Sequence, residues 1–436
     1  MINMVYPSDY ENKTGFDRIR AQVRGKCTTD GGRALLDGEG FSASAGEIAH
    51  RLSLCSELQE ILMLESGFPL QEYTDIGPVA RKIEVAGTFL DIEDMIALRA
   101  GLGAVNEITV FLAAKEEGRY PVLRGLAQGV ESFPEITGHI DTILDRYGKI
   151  KDSASPELYT IRRTIRDREG QVSKRLQAIL SKAQKDGYAD ADAAVSIRDG
   201  RAVIPVSAAN KRKINGFIHD ESATGKTFYI EPVEIVEINN ELKELEYAER
   251  REVVRILTAF TDRIRPDAPG IARAGEYLAC MDMIRAKARW AAENDCVKPV
   301  LSEEGTLWLR SARHPLLRQT LAREGKQVVP LDLKLDRGRR MLVISGPNAG
   351  GKSVCLKTVG LLQYMFQCGF PVPVLENSEF PVFDGIFIDI GDEQSIDNDL
   401  STYSSHLLNM KHMLAGTGSG LSLIHISEPT RHAQIS

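Results

Sequence analysis

The chain has 436 residues and a formal net charge of −7, with 43% hydrophobic and 26% charged residues. Those figures suit a soluble globular protein of two to four domains with a large buried core, and they exclude a polycation that holds nucleic acid by bulk charge. Six dispersed cysteines (Cys27, Cys55, Cys280, Cys296, Cys355 and Cys368) form no CxxC pair, and the opening MINMVYPSDYENK lacks an apolar signal core, so we expect reduced thiols, a cytoplasmic protein and no membrane partner.

Residues 1–150 read as helical. In GEIAHRLSLCSELQEILMLE (46–65), Ile48, Leu52, Cys55, Leu58 and Leu62 recur at spacings of three and four, and TFLDIEDMIALRAGLGAVNEITVFLAA (88–114) repeats the pattern. Both look like core-packed helices without chemistry.

A second unit is expected over 151–300. In SPELYTIRRTIRDREGQVSKRLQAIL, Ser155 is placed to cap a helix with Pro156 at its first position. Leu158, Ile161, Ile165, Val172, Leu176 and Ile179 mark a narrow stripe. The other faces carry Arg162, Arg163, Arg166, Arg168, Lys174 and Arg175, either a solvated charged face or a patch that tracks a phosphate backbone. The period then changes to two. AVSIRDGRAVIPV alternates around Asp199-Gly200, a hairpin signal, and KINGFIHDESATGKTFYIEP reads as another hairpin turning at Ala223–Gly225. Its GKT at 225–227 is not a phosphate loop, because position 220 is Asp and FYIEP favours a strand. His219-Asp220 reads as a turn-stabilising pair. From Val236, Ile238, Leu242, Leu245, Val253, Ile256 and Phe260 restore the helical period, and GEYLACMDMIRAKARWAAEN (275–294) is the expected antiparallel partner.

From about Thr306 the pattern is α/β. RHPLL (313–317) precedes a loop, RRMLVIS reads as a buried strand, and KSVCLKTVGLLQYMFQ as a helix ending near Gly369. Between them, Gly346, Gly351, Lys352 and Ser353 satisfy G-x-x-x-x-G-K-[ST], with Pro347, Asn348, Ala349 and Gly350 filling the loop. Glycines let backbone N–H groups converge on phosphate oxygens, and the helix N-terminus adds its partial positive charge. Lys352 is expected to reach the β- and γ-phosphates of ATP and Ser353 to ligate Mg²⁺. Hydrolysis also needs a carboxylate at a strand end; in DGIFIDIGDE, Asp389 and the following Asp392-Glu393 are candidates.

Three stretches resemble the MutS superfamily. ISGPNAGGKSVCLKTVGLLQYM is similar to its nucleotide loop, DIGDEQSIDNDLSTYSSHL to its signature segment, whose Ser-Thr pair is Ser401-Thr402 here, and IRDGRAVIPV…GFIHDESATGKTFYIEP to a β-rich segment of the bacterial MutS-two subfamily. The resemblance covers residues 1 to about 418. It implies a mixed fold: a mainly α-helical core (1–150), a coiled-coil lever and clamp arm (151–300) with a small β tip at about 195–232, and an α/β P-loop ATPase domain of ABC type (301–418). It also implies a homodimer that sandwiches two ATP molecules, with Ser401-Thr402 of one subunit approaching the γ-phosphate held by Lys352 of the other. Branched DNA or recombination intermediates are one implied partner, and collided ribosomes with their rRNA are a second. Arg162, Arg163, Arg166, Lys174 and Arg175 become candidate DNA contacts. In the superfamily the acidic strand follows the signature segment, which moves the catalytic carboxylates beyond 418. There SGLSLIHISEPTRHAQIS offers no Asp-Glu, so we expect 419–436 to be foreign and the acidic strand and the nuclease (Smr) domain to be missing. The expected activity is that of an ATPase clamp on DNA; the alternative is a nucleotide- and DNA-binding fragment without turnover.

Overall fold

The computed structural model describes residues 5–69, 71–344, 351–389 and 411. In chain order they form β1 (Val5–Tyr6), α1 (Tyr10–Thr14), α2 (Phe16–Arg24), α3 (Asp30–Gly38), α4 (Ala45–Leu64), α5 (Gly77–Glu84), α6 (Ile92–Ala113), α7 (Pro121–Ala127) and α8 (Pro134–Ile143). Then follow α9 (Pro156–Lys185), β2 (Ser196–Arg198), β3 (Arg201–Ser207), β4 (Gly216–Glu221), β5 (Thr227–Pro232), α10 (Val233–Ile264) and α11 (Ala268–Glu293). The last elements are β6 (Val300–Leu301), β7 (Leu307–Ala312), α12 (Pro315–Arg323), β8 (Leu331–Leu335), α13 (Lys352–Gln367), β9 (Glu379–Phe380) and β10 (Ile386–Phe387). The fold is mixed and dominated by helix, with small sheets. Contacts divide it into two compact units, one drawn from Met1–Pro78, Ala100–Phe133 and Pro269–Ser436, the other from Val79–Arg99 and Pro134–Ala268.

In the first unit, α11 is buried around most of its circumference. Ile271, Leu278, Met281, Ile284 and Trp290 are buried, and so are Asp282, Arg285 and Lys287. Charges inside a core must be paired. The Asp282 carboxylate accepts from the Thr28 and Thr29 amides, each at 2.8 Å, so it sits at the start of α3. Arg285 closes the pair at 2.7 Å and lies 4.3 Å over the Tyr73 ring. Lys287 bonds Glu39 at 2.7 Å and lies over Phe370. Of the helices in this unit, α4 was legible down to its buried Ile48, Leu52, Cys55 and Leu58. Helix α6, shared between the units, is long and apolar enough to cross a membrane by length and composition, yet Met95, Leu98, Leu102, Val105, Ile108 and Leu112 are buried within the protein.

The sheet of this unit has the order β6-β9-β7-β8, with β7 and β8 antiparallel in the register Leu307↔Leu335 and Leu309↔Leu333. A separate parallel pair joins β1 to β10 through Val5↔Ile386 and Tyr6↔Phe387. Two expectations change here. RHPLL does not precede a loop: His314 caps α12, its ring nitrogen accepting from the Leu317 amide at 3.5 Å. The stretch RRMLVIS is not a buried strand over its described residues. Met341 is 90% and Val343 89% exposed, and Asp336 folds a tight turn with Arg339 that ends the β8 segment. A strand needs a ladder partner, and among the described residues none pairs with 341–344.

In the second unit, Ser155 caps α9 by accepting from the Leu158 amide at 3.0 Å while its hydroxyl donates to the buried Glu252 at 2.5 Å. Leu158, Val172, Leu176 and Leu180 form the buried stripe. Helix α10 packs along α9, not along 275–294 as the periodicity suggested: Arg162 pairs with Glu249, Arg168 with Glu241, and Arg175 with the Glu234 carbonyl, an antiparallel register. The stretch 275–293 belongs to α11 and is largely buried in the first unit. Strands β2-β3-β5-β4 form an antiparallel sheet. Asp199 and Gly200 both have positive φ, 49° and 69°, as a two-residue primed turn requires. Val172, Leu176, Leu180, Ile204, Val206, Ile230, Ile235 and Ile238 share one core where α9, this sheet and α10 meet. Thr227 begins β5, so the GKT at 225–227 lies in a turn and strand.

Candidate functional site

The N-terminus of α13 is the centre of the candidate site. Gly351 is its N-cap at φ 79° and ψ 13°, a left-handed conformation that a side chain would strain, and no atom of the described residues lies within 4 Å of where a Cβ would stand. Lys352 and Ser353 occupy the first turn, both half-buried. A helix of 16 residues in this place aims its first-turn amides and its dipole outward from the Gly351 end. That suits phosphate, and the Ser353 hydroxyl is the donor type a magnesium ion takes beside phosphate oxygens. Gly346, Pro347, Asn348, Ala349 and Gly350 lie outside the described residues, as do Ser401 and Thr402 of the signature pair, Asp392, Glu393, His406 and the segment 419–436. Among the described residues no cluster of three His, Cys, Asp or Glu side chains could hold a metal.

Beyond its first turn α13 is buried from Thr358 to Gln367. Its polar side chains are engaged there. Gln363 donates to the Pro381 carbonyl at 2.8 Å, and Gln367 donates to the Ser42 and Phe383 carbonyls at 2.9 and 2.8 Å. Tyr364 donates to Glu11 at 2.8 Å, and Glu11 pairs with Arg20 at 2.8 Å. The Tyr10 hydroxyl donates to the Gly360 carbonyl at 3.0 Å. The partners of Tyr10, Glu11 and Ser42 were not visible to sequence reasoning, because no local pattern links residues more than 300 positions apart.

Asp389 is buried at 3% exposure just past β10. Burial pushes the Tyr6 phenol above its usual range, and the charge of Asp389 pushes it the same way. His314 is held neutral: burial, with Lys357 and Arg18 nearby, lowers its pKa to about 4. A neutral ring whose one nitrogen already accepts a backbone amide is a structural cap. The six cysteines are free. Burial raises Cys55 and Cys368 to about 12, which removes them as nucleophiles at neutral pH.

The basic face of α9 is largely neutralised within its own unit. Arg162 bridges Asp152 and Glu249 at 2.8 and 2.7 Å and donates to the Ile150 carbonyl. Arg166 pairs with Asp152 at 3.0 Å, Arg168 with Glu241 at 3.0 Å, and Arg175 reaches a carbonyl of α10. Arg163 and Lys174 are exposed and have no partner among the described residues. His219 does not pair with Asp220. Its ring nitrogen lies 2.6 Å from the buried Glu231 carboxylate, which also accepts from Arg201 and Asn239, each at 2.8 Å, while Asp220 pairs with Arg198. The HD dipeptide gave no hint of Glu231, because the pairing runs across strands β4 and β5.

Comparison with known proteins adds to this geometry. The family model described as MutS domain V matches residues 342–435, a span that runs through the segment 419–435. The chain is 34% identical over 401 residues to a protein named Endonuclease MutS2 from Geobacillus sp., covering 92% of this chain and 50% of that one. A protein of the same name from Alkaliphilus metalliredigens is 36% identical over 399 residues, covering 91% and 49%. Another from Streptococcus thermophilus is 34% identical over 413 residues, covering 95% and 51%. The chain spans about half the length of the curated relatives it matches.

Proposed function

Because the chain belongs to the MutS2 family, we propose that it carries the nucleotide-binding part of a dimeric, ATP-driven clamp that acts on DNA. The observation that carries this reading is the glycine-capped start of α13, with Lys352 and Ser353 in its first turn, at the end of the sequence GPNAGGKS. The loop residues Gly346 to Gly351 would offer backbone N–H groups to the phosphates of ATP. Lys352 would add a charge-assisted contact to the β- and γ-phosphates, and Ser353 would hold Mg²⁺, which when bound screens the charge of those phosphates. Ser401 and Thr402 of a second copy would supply hydroxyls to the γ-phosphate, so closing the dimer and completing the site would be one event. In this reading the lever and tip lie at 151–300 and the ATPase domain, of P-loop ABC type, begins at 301.

The relatives' name credits them with endonuclease activity. For this family we place that activity in an Smr domain. Branched DNA or recombination intermediates are the proposed substrate, collided ribosomes a second partner, and the cytoplasm the proposed compartment. The other reading, ATP and DNA binding without turnover, rests on the absence of an Asp-Glu pair in SGLSLIHISEPTRHAQIS. One experiment separates them: ATP affinity and turnover of the 436-residue chain and of Lys352→Ala. Loss of one charge-assisted phosphate contact, about 1.5–3 kcal/mol, weakens ATP about 10- to 100-fold. Turnover abolished by the substitution supports the ATPase and returns Asp389 as a candidate carboxylate. Binding without turnover supports the second reading. Unchanged ATP affinity in the variant overturns both.

A further inference from the structure

The first strand and helix of the chain touch both halves of what the nucleotide site needs. Tyr10 is fully buried; its hydroxyl donates to the Gly360 carbonyl in the middle of α13, and its ring lies 4.9 Å from that of Tyr364. Glu11 accepts from Tyr364 and is itself fixed by Arg20. A few residues earlier β1 adds a parallel strand to β10, where the Ile388 amide donates to the Tyr6 carbonyl at 2.9 Å and the Tyr6 and Phe387 rings lie 6.3 Å apart. Asp389 follows directly, and after it the segment that holds Ser401 and Thr402. The stretch Val5–Thr14 is therefore bonded at one end to β10 and at the other to α13, the helix whose first turn carries Lys352 and Ser353.

A two-residue parallel pair is weak by itself, since short strands without neighbours are marginal in water. Its persistence here depends on the anchoring of α1 against α13. Gln363 and Gln367 of α13 hold Pro381 and Phe383 just before β10, and two hydroxyl bonds and one ion pair hold β1 and α1 against its far side.

We propose that residues 5–14 are a positioning strap: they fix the end of β10, and with it Asp389, relative to the phosphate-binding turn of α13. Tyr10, Glu11 and Tyr364 are positioning residues in this arrangement, since none of them reaches the phosphate turn itself. The proposal rests on the nucleotide reading given above.

The test uses the full chain and the isosteric double variant Tyr10→Phe/Tyr364→Phe, which keeps the rings and removes both hydroxyl bonds. Hydrogen exchange of the Ile388 amide is read with and without ATP and Mg²⁺, beside the affinity for ATP. Without nucleotide, the variant should exchange that amide at least about tenfold faster, as expected when a local opening is favoured. In the wild type, ATP should slow the exchange; in the double variant that response should be lost while the ATP affinity stays within about twofold. Glu11→Gln, which keeps an oxygen for Tyr364, should retain the response. If the double variant does not fold, Tyr364→Phe alone gives the same readout with a smaller change. Unchanged exchange at Ile388, or an ATP response that survives in the variant, overturns the strap. So does a uniform loss of protection over all of α13, which would mean a merely structural role. If the wild type binds no ATP, and Lys352→Ala is indistinguishable from it, the nucleotide reading is what fails; the nucleotide-free exchange still reports whether the strap holds β10.

Discussion

Helices α9 and α11 are both rich in charge, and they treat it in opposite ways. Along α9 the charges stay at the surface and pair sideways: Arg162, Arg166 and Arg168 meet Asp152, Glu249 and Glu241, each pair partly open to solvent. Along α11 the charges go inside: Asp282 and Arg285 are fully buried, and Lys287 nearly so. The difference teaches what each helix is for. A surface pair contributes little and can be exchanged for an outside partner, whereas a buried pair must be complete or the fold is penalised. The surface pairs between α9 and α10 can be exchanged without endangering the structure of the two helices. Helix α11 cannot, and its charges serve to tie both ends of α3 and the Tyr73 loop to one core.

The largest effect should follow from breaking the buried side of this contrast. Asp282→Ala leaves Arg285 charged and unpaired and removes the acceptor of the Thr28 and Thr29 amides. We expect a loss of about 3–5 kcal/mol, read by urea denaturation of the first unit. A loss near that of a surface pair would show that water reaches the site and that the contrast between the helices is false.

An intermediate effect is expected at Glu231, which combines both regimes: a buried carboxylate whose partners Arg201 and His219 are one-fifth exposed. Burial works to raise its pKa, but hydrogen bonds from Asn239, Arg201 and His219 outweigh it and hold the carboxyl below its usual range. A carboxyl with a depressed folded pKa contributes stability at pH values above its unfolded pKa, about 4.3, and that contribution is lost as pH falls through the folded value. The β2–β5 sheet should therefore loosen in acid. Glu231→Gln should cost about 1–3 kcal/mol at neutral pH and flatten the acid response, as measured by hydrogen exchange of the β3 and β5 amides. An unaltered acid response would assign the loosening to another group.

The same contrast explains what could be read from sequence. Helices with one buried stripe, α4, α9 and α10, were legible because a stripe is a local period; Ser155 as a cap and Asp199-Gly200 as a turn were legible because each acts within three residues. The partner of α10 was misread. Helices α9 and α11 each present apolar residues at suitable spacing, and only the charge register Arg162–Glu249, Arg168–Glu241 distinguishes them. For the candidate site, the glycine and the first turn of α13 were plain from GPNAGGKS. Its supports were not, because Tyr10, Glu11 and Tyr6 act on residues 350 or more positions away. The strand expected at 341–344 shows the limit of apolar pattern: four apolar residues define a strand only when a neighbour completes the ladder.

The smallest effect, and the one that most sharpens the comparison, concerns two adjacent arginines on α9. Arg162 is held by Asp152, Glu249 and the Ile150 carbonyl, whereas Arg163 is exposed and has no partner among the described residues. If α9 contacts a phosphate backbone, the work falls to side chains that need not first leave a carboxylate, so Arg163 and Lys174 should matter more than Arg162, Arg166 or Arg175. For stability the order reverses: Arg162→Gln should cost up to about 1 kcal/mol and Arg163→Gln close to nothing. For DNA affinity, Arg163→Gln should weaken binding evenly across sequences and lower the slope of log affinity against log salt by about 1, while Arg162→Gln leaves that slope unchanged. The measurement is a salt titration of a branched and a linear duplex against both variants. Equal slopes for wild type and Arg163→Gln would remove α9 from the DNA interface and leave its arginines as pins between two helices. A slope lowered by Arg162→Gln instead would mean that binding breaks the Asp152 and Glu249 pairs, so that the α9–α10 register itself changes when DNA binds.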